Sequence, residues 1–260
     1  MKVKESLAIV SMCLGGALVS GTVSGGILDV NGVEVSERVF NDFPGSTLTT
    51  TNNFPVLVEF RDENMINGGF ANRHDALLSA DGGTTPLALN TSDGFDVSVD
   101  VTLEVGSTSP RKEAGMRVNS NITGNGLFII NSDAGEIVAF GGPLEFFSFN
   151  NTFGESYVAG DTILMRMIYR PGEGVAGTVE YIVDVGDGPL SSGELEFTNT
   201  EGGIADGTNV GFYGQFSPAD ENDFGVARFE NIRAVPEPAS AALVALGALG
   251  MIRRRTLHDG

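Results

Sequence analysis

Residues 95–105 read Phe-Asp-Val-Ser-Val-Asp-Val-Thr-Leu-Glu-Val, and this stretch predicts the fold class. Every second side chain is apolar, and the side chains between them are polar or acidic. A β-strand sends successive side chains to opposite faces, so the segment is a strand with one buried and one hydrated face. The 36 glycines and the 8% aromatic content also indicate many tight turns rather than long helices.

The same alternation recurs in shorter runs along the chain. Further strands are predicted at residues 56–60, 113–118, 126–131, 136–140, 162–169, 178–184, 210–216 and 224–234. Turn-forming residues separate the runs, with hairpins around Gly135 and Gly174. No window has the period of an amphipathic helix, so the sequence predicts an all-β, antiparallel two-sheet sandwich of the jelly-roll type.

The first 25 residues have the three parts of a secretory signal peptide. Lys2 and Lys4 precede an apolar run at residues 7–19, and small residues follow at 20–25. This predicts a cleavable signal helix and export by the general secretory route. Cys13 is the only cysteine, and the bulky Met12 before it disfavours lipid attachment, so the mature chain is expected to lack thiol and disulfide chemistry.

The last 26 residues form a second tripartite segment. Pro236, Glu237 and Pro238 cannot enter a helix interior, so the tripeptide is expected to stay extended. An Ala, Leu and Gly-rich run at 239–252 follows and predicts a short hydrophobic helix, although its length is below the roughly 17 residues that usually span a bilayer. The cluster Arg253, Arg254 and Arg255 should remain on the cytoplasmic side.

These three features together resemble the PEP-CTERM sorting signal of Gram-negative and related bacteria. The resemblance covers residues 235–260, and it implies processing by an exosortase, a membrane-embedded cysteine protease of bacteria that make exopolysaccharide. The expected organisation is a signal peptide at 1–25, an acidic sandwich domain at 26–234 and a sorting tail at 235–260. Signal peptidase and exosortase are the implied processing partners, with transient insertion of the tail in the inner membrane.

The body loosely resembles a concanavalin A-like jelly roll of the laminin-G and legume-lectin type. The long alternating strand, the glycine-rich stretch before residue 210 and the closing segment Phe229-Glu230-Asn231-Ile232-Arg233 carry the resemblance. It implies the fold, and a fold of this kind does not by itself confer a function.

The formal net charge is −19, and both chain ends carry basic clusters, so the body between them is strongly acidic. A field of that sign repels phosphate backbones and anionic lipid, which argues against nucleic acid binding. Solubility is the simpler interpretation of the charge, and a specific cationic partner is the alternative.

Catalytic patterns are weak. Glucanases with a jelly roll need carboxylates that flank one glycosidic bond, and they carry them in an E-x-D-x-x-E pattern. That pattern is not matched by Asp96, Asp100 and Glu104 or by the pair at 194 and 196. We interpret these acidic residues as the wet faces of strands. The body contains one histidine, His74, without a nucleophile elbow or enough partners for zinc, and it is predicted to be a loop residue.

The aromatic residues do not predict a sugar platform. The chain has no Trp, and Tyr169 and Tyr181 fall in predicted strands where burial is expected. A cluster of phenylalanines at 146–153 is interpreted as packing under a loop, with a ligand platform as the alternative. The triplets starting at Asn90, Asn121 and Asn150 are interpreted as turns rather than glycan acceptors.

Calcium is the ion that the residue types favour, because hard oxygen donors are abundant. Asp184, Asp187, Asp220 and Asp223 are the proposed ligands of one structural calcium ion, although no loop has the full D-x-D-x-D-G spacing. No other cofactor is expected.

The sequence therefore predicts a non-catalytic protein of the cell envelope, outer surface or extracellular matrix, sorted by its tail. Exopolysaccharide is a candidate partner. The alternative is a carbohydrate-active domain, either a glycan-binding module or a relative of glucanases.

Overall fold

The computed structural model describes residues 29–172, 177–197 and 203–235. Within them the strands in chain order are β1 (Gly32–Asn41), β2 (Thr47–Asn53), β3 (Leu57–Glu63), β4 (Asn72–Ser79), β5 (Phe95–Val105), β6 (Lys112–Ser120), β7 (Gly124–Asn131), β8 (Ile137–Phe140), β9 (Phe147–Ser148), β10 (Thr162–Arg170), β11 (Thr178–Asp184), β12 (Leu190–Ser191), β13 (Leu195–Glu196), β14 (Asn209–Phe216) and β15 (Phe224–Val235). The one described helix is the single turn α1 (Phe149–Phe153).

The strands form two antiparallel sheets. The seven-stranded sheet has the order β1-β4-β14-β6-β7-β8-β9. The eight-stranded sheet has the order β12-β11-β10-β5-β15-β3-β2, with β13 also paired to β11. Neighbours in both sheets are often far apart in the chain, which is the crossing pattern of a jelly roll. The predicted all-β sandwich is confirmed.

Residues 95–105 form the strand that their alternation of apolar and polar side chains predicts. Strand β5 has the bounds that the sequence gives, and it lies in the interior of its sheet between β10 and β15. Its apolar residues, Phe95, Val97, Val99, Val101 and Leu103, are all fully buried between the sheets. They meet a matching apolar face from β6 and β14 of the other sheet, so burial of this central layer is the main stabilising contribution to the sandwich.

The predicted strands all correspond to observed ones, with bounds that differ by at most a few residues. The sequence missed β1, β2 and β4 among the longer strands. The hairpin predicted around Gly174, the signal helix and the C-terminal hydrophobic helix lie outside the described residues.

The prediction that His74 is a loop residue is wrong. His74 lies on β4 with its side chain fully buried between the sheets. Its Nε2 lies 3.1 Å from Oδ2 of Asp62, which is equally buried on β3 of the opposite sheet. The rings of Phe60 and Phe216 pack against the imidazole, with centroid distances of 5.5 and 5.8 Å. The sequence missed this because two polar side chains, each the other's partner, occupy inward positions where apolar residues were expected.

Candidate functional site

The predicted sorting residues begin where the described sandwich ends. Strand β15 runs to Val235, and its last residues pair with the start of β5, Ala234 opposite Val97 and Val235 opposite Asp96. Pro236, Glu237, Pro238 and the cluster Arg253, Arg254 and Arg255 lie outside the described residues. In the ranges that the structure covers, no helix has both the length and the apolar character needed to cross a bilayer.

The four proposed calcium ligands fall into two separate pairs. Asp184 and Asp187 lie at the end of β11 and in the following turn, whereas Asp220 and Asp223 lie in the connection from β14 to β15. Strands β10 and β5 separate β11 from β15, so about 14 Å of sheet lies between the pairs at normal strand spacing. The structure therefore does not bring the four side chains to one ion. Among the residues it describes, no group of three His, Cys, Asp or Glu side chains could hold a metal.

Three of these aspartates have other partners. Asp220 Oδ1 accepts a hydrogen bond from the backbone N–H of Asn222 at 2.8 Å. Asp184 Oδ1 accepts hydrogen bonds from the backbone N–H groups of Gly186 and Gly188, at 2.8 and 3.2 Å, and so shapes its own turn. Asp223 is buried and lies 2.7 Å from the ammonium of Lys112, which is fully buried. Burial raises the pKa of Asp223, but hydrogen bonds from Lys112 and from backbone N–H groups outweigh it and lower the pKa below its ordinary value.

A network of charged and polar side chains lies on the outer face of the seven-stranded sheet. We call it the outer polar cluster, and it consists of Arg73, Asp75, Glu113, Arg117 and Tyr213. The register of three paired strands brings these residues together. Tyr213 on β14 lies opposite Asp75 on β4 and, on its other side, opposite Gly115 on β6. Glu113 and Arg117 lie two residues before and after Gly115 on the same strand. No local pattern in the sequence indicates this cluster, because its members come from three strands that are distant in the chain.

The members of the outer polar cluster bind one another. Arg73 Nε lies 2.9 Å from Asp75 Oδ1, and Arg117 donates to the other oxygen of the same carboxylate. The Arg73 guanidinium also lies over the Tyr213 ring, 4.9 Å from its centroid. Such stacking of a cation on an aromatic face contributes about 0.5–2 kcal/mol.

Tyr213 and Glu113 form the most buried part of the cluster. The Tyr213 hydroxyl donates to Glu113 Oε2 at 2.9 Å, and the tyrosine side chain has no exposed surface. Burial raises the pKa of the Glu113 carboxyl, and burial together with the neighbouring Glu113 raises the pKa of Tyr213 well above its ordinary value. A shifted acid next to a tyrosine is a pattern of proton-transfer sites. Here, however, the tyrosine is sealed beneath Arg73 and cannot reach a bound molecule without movement of that arginine.

One atom in the cluster has no partner. The second terminal nitrogen of Arg73, Nη2, is buried and makes no hydrogen bond. Asn119, Asn125 and Gln215 surround the cluster on the same face of the sheet. An arginine nitrogen and several amides are groups that hydrogen-bond to hydroxyl and carboxylate oxygens.

The acidic residues that alternate on β5 form ion pairs and hydrogen bonds rather than a carboxylate dyad. Asp96 is paired with Arg166, with Nε to Oδ1 at 2.6 Å, and Glu104 is paired with Arg228 at 2.7 Å. Asp100 accepts from the Asn231 amide at 2.8 Å. The wet-face interpretation is correct for Asp100 and Glu104, but Asp96 is buried beneath its arginine.

The tyrosines and the phenylalanine cluster contribute little exposed aromatic surface. The four tyrosines of the chain, Tyr157, Tyr169, Tyr181 and Tyr213, are all buried, as predicted for Tyr169 and Tyr181. In the phenylalanine cluster, Phe149 is buried against Phe128, whereas Phe146 is 67% exposed. Packing under a loop is therefore confirmed for Phe149 and is wrong for Phe146.

Comparison with known proteins identifies the tail. Residues 234–255 match the PEP-CTERM protein-sorting motif. The motif indicates an exported, cell-envelope-associated protein that is processed by an exosortase, and the resemblance noted in the sequence is confirmed. No curated protein sequence matches the chain.

Several solved structures share the arrangement of the body. An alginate lyase from Corynebacterium sp. is 10% identical with a TM-score of 0.49, covering 78% of this chain and 93% of its own. An alginate lyase of polysaccharide lyase family 7 is 12% identical with a TM-score of 0.48, covering 78% and 94%. Lectin II from Ulex europaeus is 8% identical with a TM-score of 0.44, covering 80% and 96%. At identities of 8–12% this likeness concerns the fold alone.

Proposed function

We propose that this chain is a non-catalytic protein of the bacterial cell envelope or extracellular matrix, delivered there by its C-terminal tail. The PEP-CTERM motif at residues 234–255 carries the proposal, because it begins at the last residues of the final strand and leaves the whole sandwich as the cargo. The proposed organisation is a signal peptide at 1–25, the sandwich at 26–234 and the tail at 235–260. Exopolysaccharide of the producing cell is the proposed surrounding material.

The state of the ionisable groups supports a non-catalytic role. Four buried carboxylates, Asp62, Asp96, Glu113 and Asp223, are each occupied by a cation or hydrogen-bond donor of the protein itself. A general acid or base must come within hydrogen-bond reach of a substrate. None of these four groups offers that reach from the surface.

Replacement of Pro236, Glu237 and Pro238 by Ala tests the sorting proposal. We expect the variant to accumulate uncut in the inner membrane, measured by cell fractionation and intact mass. The control replaces the exposed Thr152 and Ser156 of the body by Ala and should be sorted like the natural protein. Normal cleavage and release of the triple variant would contradict the proposal.

Glycan binding on the outer polar cluster is the second candidate function. The unpartnered Nη2 of Arg73 favours it, because the side chain is 12% exposed and an outward turn of its guanidinium would let a sugar hydroxyl or carboxylate supply the missing acceptor. The test is binding of the processed protein to a panel of bacterial and algal polysaccharides, with product analysis for chain cleavage. Saturable binding that is lost in Arg73→Met, but kept in Arg61→Met on the opposite sheet, would establish this function, and any cleavage would overturn the non-catalytic proposal.

A further inference from the structure

The two sheets have four edges, and three of them are protected against pairing with another strand. Strand β1 contains Glu34, Glu37 and Arg38 and has a register break between Ser36 and Phe40. Strand β9 at the other edge of the same sheet has two residues. Strand β12 at one edge of the eight-stranded sheet also has two. Charges, bulges and very short strands are the usual means by which proteins keep sheet edges from associating.

The fourth edge, strand β2, has none of these protections. Its sequence is Thr-Leu-Thr-Thr-Thr-Asn-Asn, with seven residues and no charge or proline. All seven pair with β3 in unbroken register, from Thr47 opposite Glu63 to Asn53 opposite Leu57. Threonine is among the residues that favour extended structure. The outward N–H and C=O groups of β2 are therefore arranged as a regular template for one more strand.

The flank of the sandwich that contains β2 also carries much of the exposed apolar surface. Strand β1 lies across the sandwich from β2, because the Asn52 side chain of β2 reaches the backbone oxygen of Val33 on β1. Of the ten large apolar side chains exposed in the described ranges, five lie on or next to this flank: Val39, Phe40, Val56, Ile66 and Phe70. The rings of Phe40 and Phe70 contact each other, with centroids 6.4 Å apart. Grouped exposed apolar residues mark interaction surfaces.

We propose that β2 pairs with β2 of a second copy of this chain, so that the two eight-stranded sheets continue into one sheet across a two-fold axis. A second copy is the partner that the sequence of β2 favours, because a strand without charged residues can face its own copy across a two-fold axis without placing like charges together. In an antiparallel pair centred on Thr50, Thr49 of one copy faces Thr51 of the other, and Thr47 faces Asn53, so no charged side chain meets another across the new ladder. The contact is isologous, as in most closed dimers.

Two lysine substitutions on β2 test this proposal. The full-length chain is expressed in cells that export and process it, and the product is followed by sedimentation velocity over a range of concentrations. We expect a dimer for the natural sequence and at least about a tenfold weaker dimer for Thr49→Lys with Thr51→Lys, because like charges then face each other. The control, Thr152→Lys with Ser156→Lys, adds the same charge at exposed positions on and beside α1 and should dimerise normally. A natural protein that stays monomeric at all concentrations, or a dimer that the β2 lysines leave unchanged, would overturn the proposal.

Cysteine pairing gives a second, independent measurement. The only native cysteine is Cys13 in the predicted signal peptide, so a cysteine introduced in the sandwich reports its own contacts. Mild oxidation of a mixture of Thr49→Cys and Thr51→Cys proteins should give a disulfide-linked dimer with one chain of each kind. Linkage no greater than that of Thr152→Cys would refute the β2 contact. A dimer that disappears when residues 236–260 are deleted, while the cysteines stay unlinked, would assign the contact to the tail instead.

Discussion

Replacement of His74 by Ala should destabilise the sandwich by about 3–5 kcal/mol, because it removes a hydrogen-bond donor from the buried Asp62 carboxylate and leaves a cavity beside Phe60 and Phe216. The backbone N–H of Arg38 donates to Nδ1 of His74 at 3.1 Å, so Nδ1 carries no proton and Nε2 is the donor to Asp62. Asp62 Oδ2 also accepts a hydrogen bond from the Asn72 amide, at 2.7 Å, which stays in place when the imidazole is removed. A loss of this size is a large share of the roughly 5–15 kcal/mol that stabilises a typical domain.

Urea unfolding measures this change directly. The chain has no Trp and its four Tyr are buried, so tyrosine fluorescence and near-ultraviolet circular dichroism report on the packed core. The control variant combines His74→Phe with Asp62→Leu, which removes both polar groups and fills the space beside Phe60 and Phe216. We expect the control to lose at least about 2 kcal/mol less than His74→Ala, because no charge is left buried. A loss below about 1 kcal/mol for His74→Ala, or an equal loss for the double variant, would refute the role assigned to this pair.

Three further predictions follow from the buried groups. Burial raises the pKa of Asp62, but hydrogen bonds from its neighbours outweigh this effect and hold the pKa below its ordinary value. The contribution of Asp62 to stability is therefore present above about pH 4 and is lost as the pH falls through the lower pKa of the folded state. Thermal melts from pH 5 downwards should show a steeper loss of stability for the natural protein than for Asp62→Asn. Lys112→Met should cost about 2–4 kcal/mol in urea unfolding, because it leaves the buried Asp223 carboxylate without its cation, and a change under 1 kcal/mol would contradict this. Gly211→Ala would place a Cβ 2.2 Å from the backbone oxygen of Ala76. We expect this overpacking to lower the free energy of unfolding by at least about 1–3 kcal/mol. An unchanged unfolding midpoint would contradict this and show that β4 and β14 can move apart freely.

The sequence predicted the strands whose inward faces are apolar. Strands β5 and β11 have the predicted bounds, and the apolar residues of β5 from Phe95 to Leu103 are buried, although Asp96 and Thr102 on its other face are buried as well. The signal works there because each strand faces the opposite sheet on one side and solvent or ion pairs on the other. The same physical cause explains why the two-sheet arrangement could be inferred without a structure.

The missed strands break that alternation for three different reasons. Strand β4 turns the polar Asn72 and His74 inward, where they bond to Asp62 of the other sheet. Strand β2 is polar on both faces, and β1 carries charges and a register break. Pairing over long distances in the chain stabilises these strands, and local periodicity does not record such pairing.

The contacts of the candidate site could not be predicted from the sequence for the same reason. The contact between Tyr213 and Glu113 joins residues 100 positions apart, and that between Lys112 and Asp223 joins residues 111 apart. Each residue alone has the pattern of a solvated strand face or a loop acid. Only the strand order, with β14 between β4 and β6, brings the partners together. The tail could be recognised because its three features are contiguous in the chain.

The position of β15 connects the fold with the proposed sorting step. This strand lies inside its sheet, between β5 and β3, and it pairs with residues up to about 170 positions earlier in the chain, such as Glu59 with Arg228. The eight-stranded sheet is therefore incomplete until β15 is available, and the sorting motif begins at the end of this strand. During export the chain emerges from its N-terminal end, so β15 is the last strand to arrive. In the proposed sorting step, a tail held in the membrane directly behind β15 would keep this last strand on the outer side, where the sandwich would fold before the tail is cut.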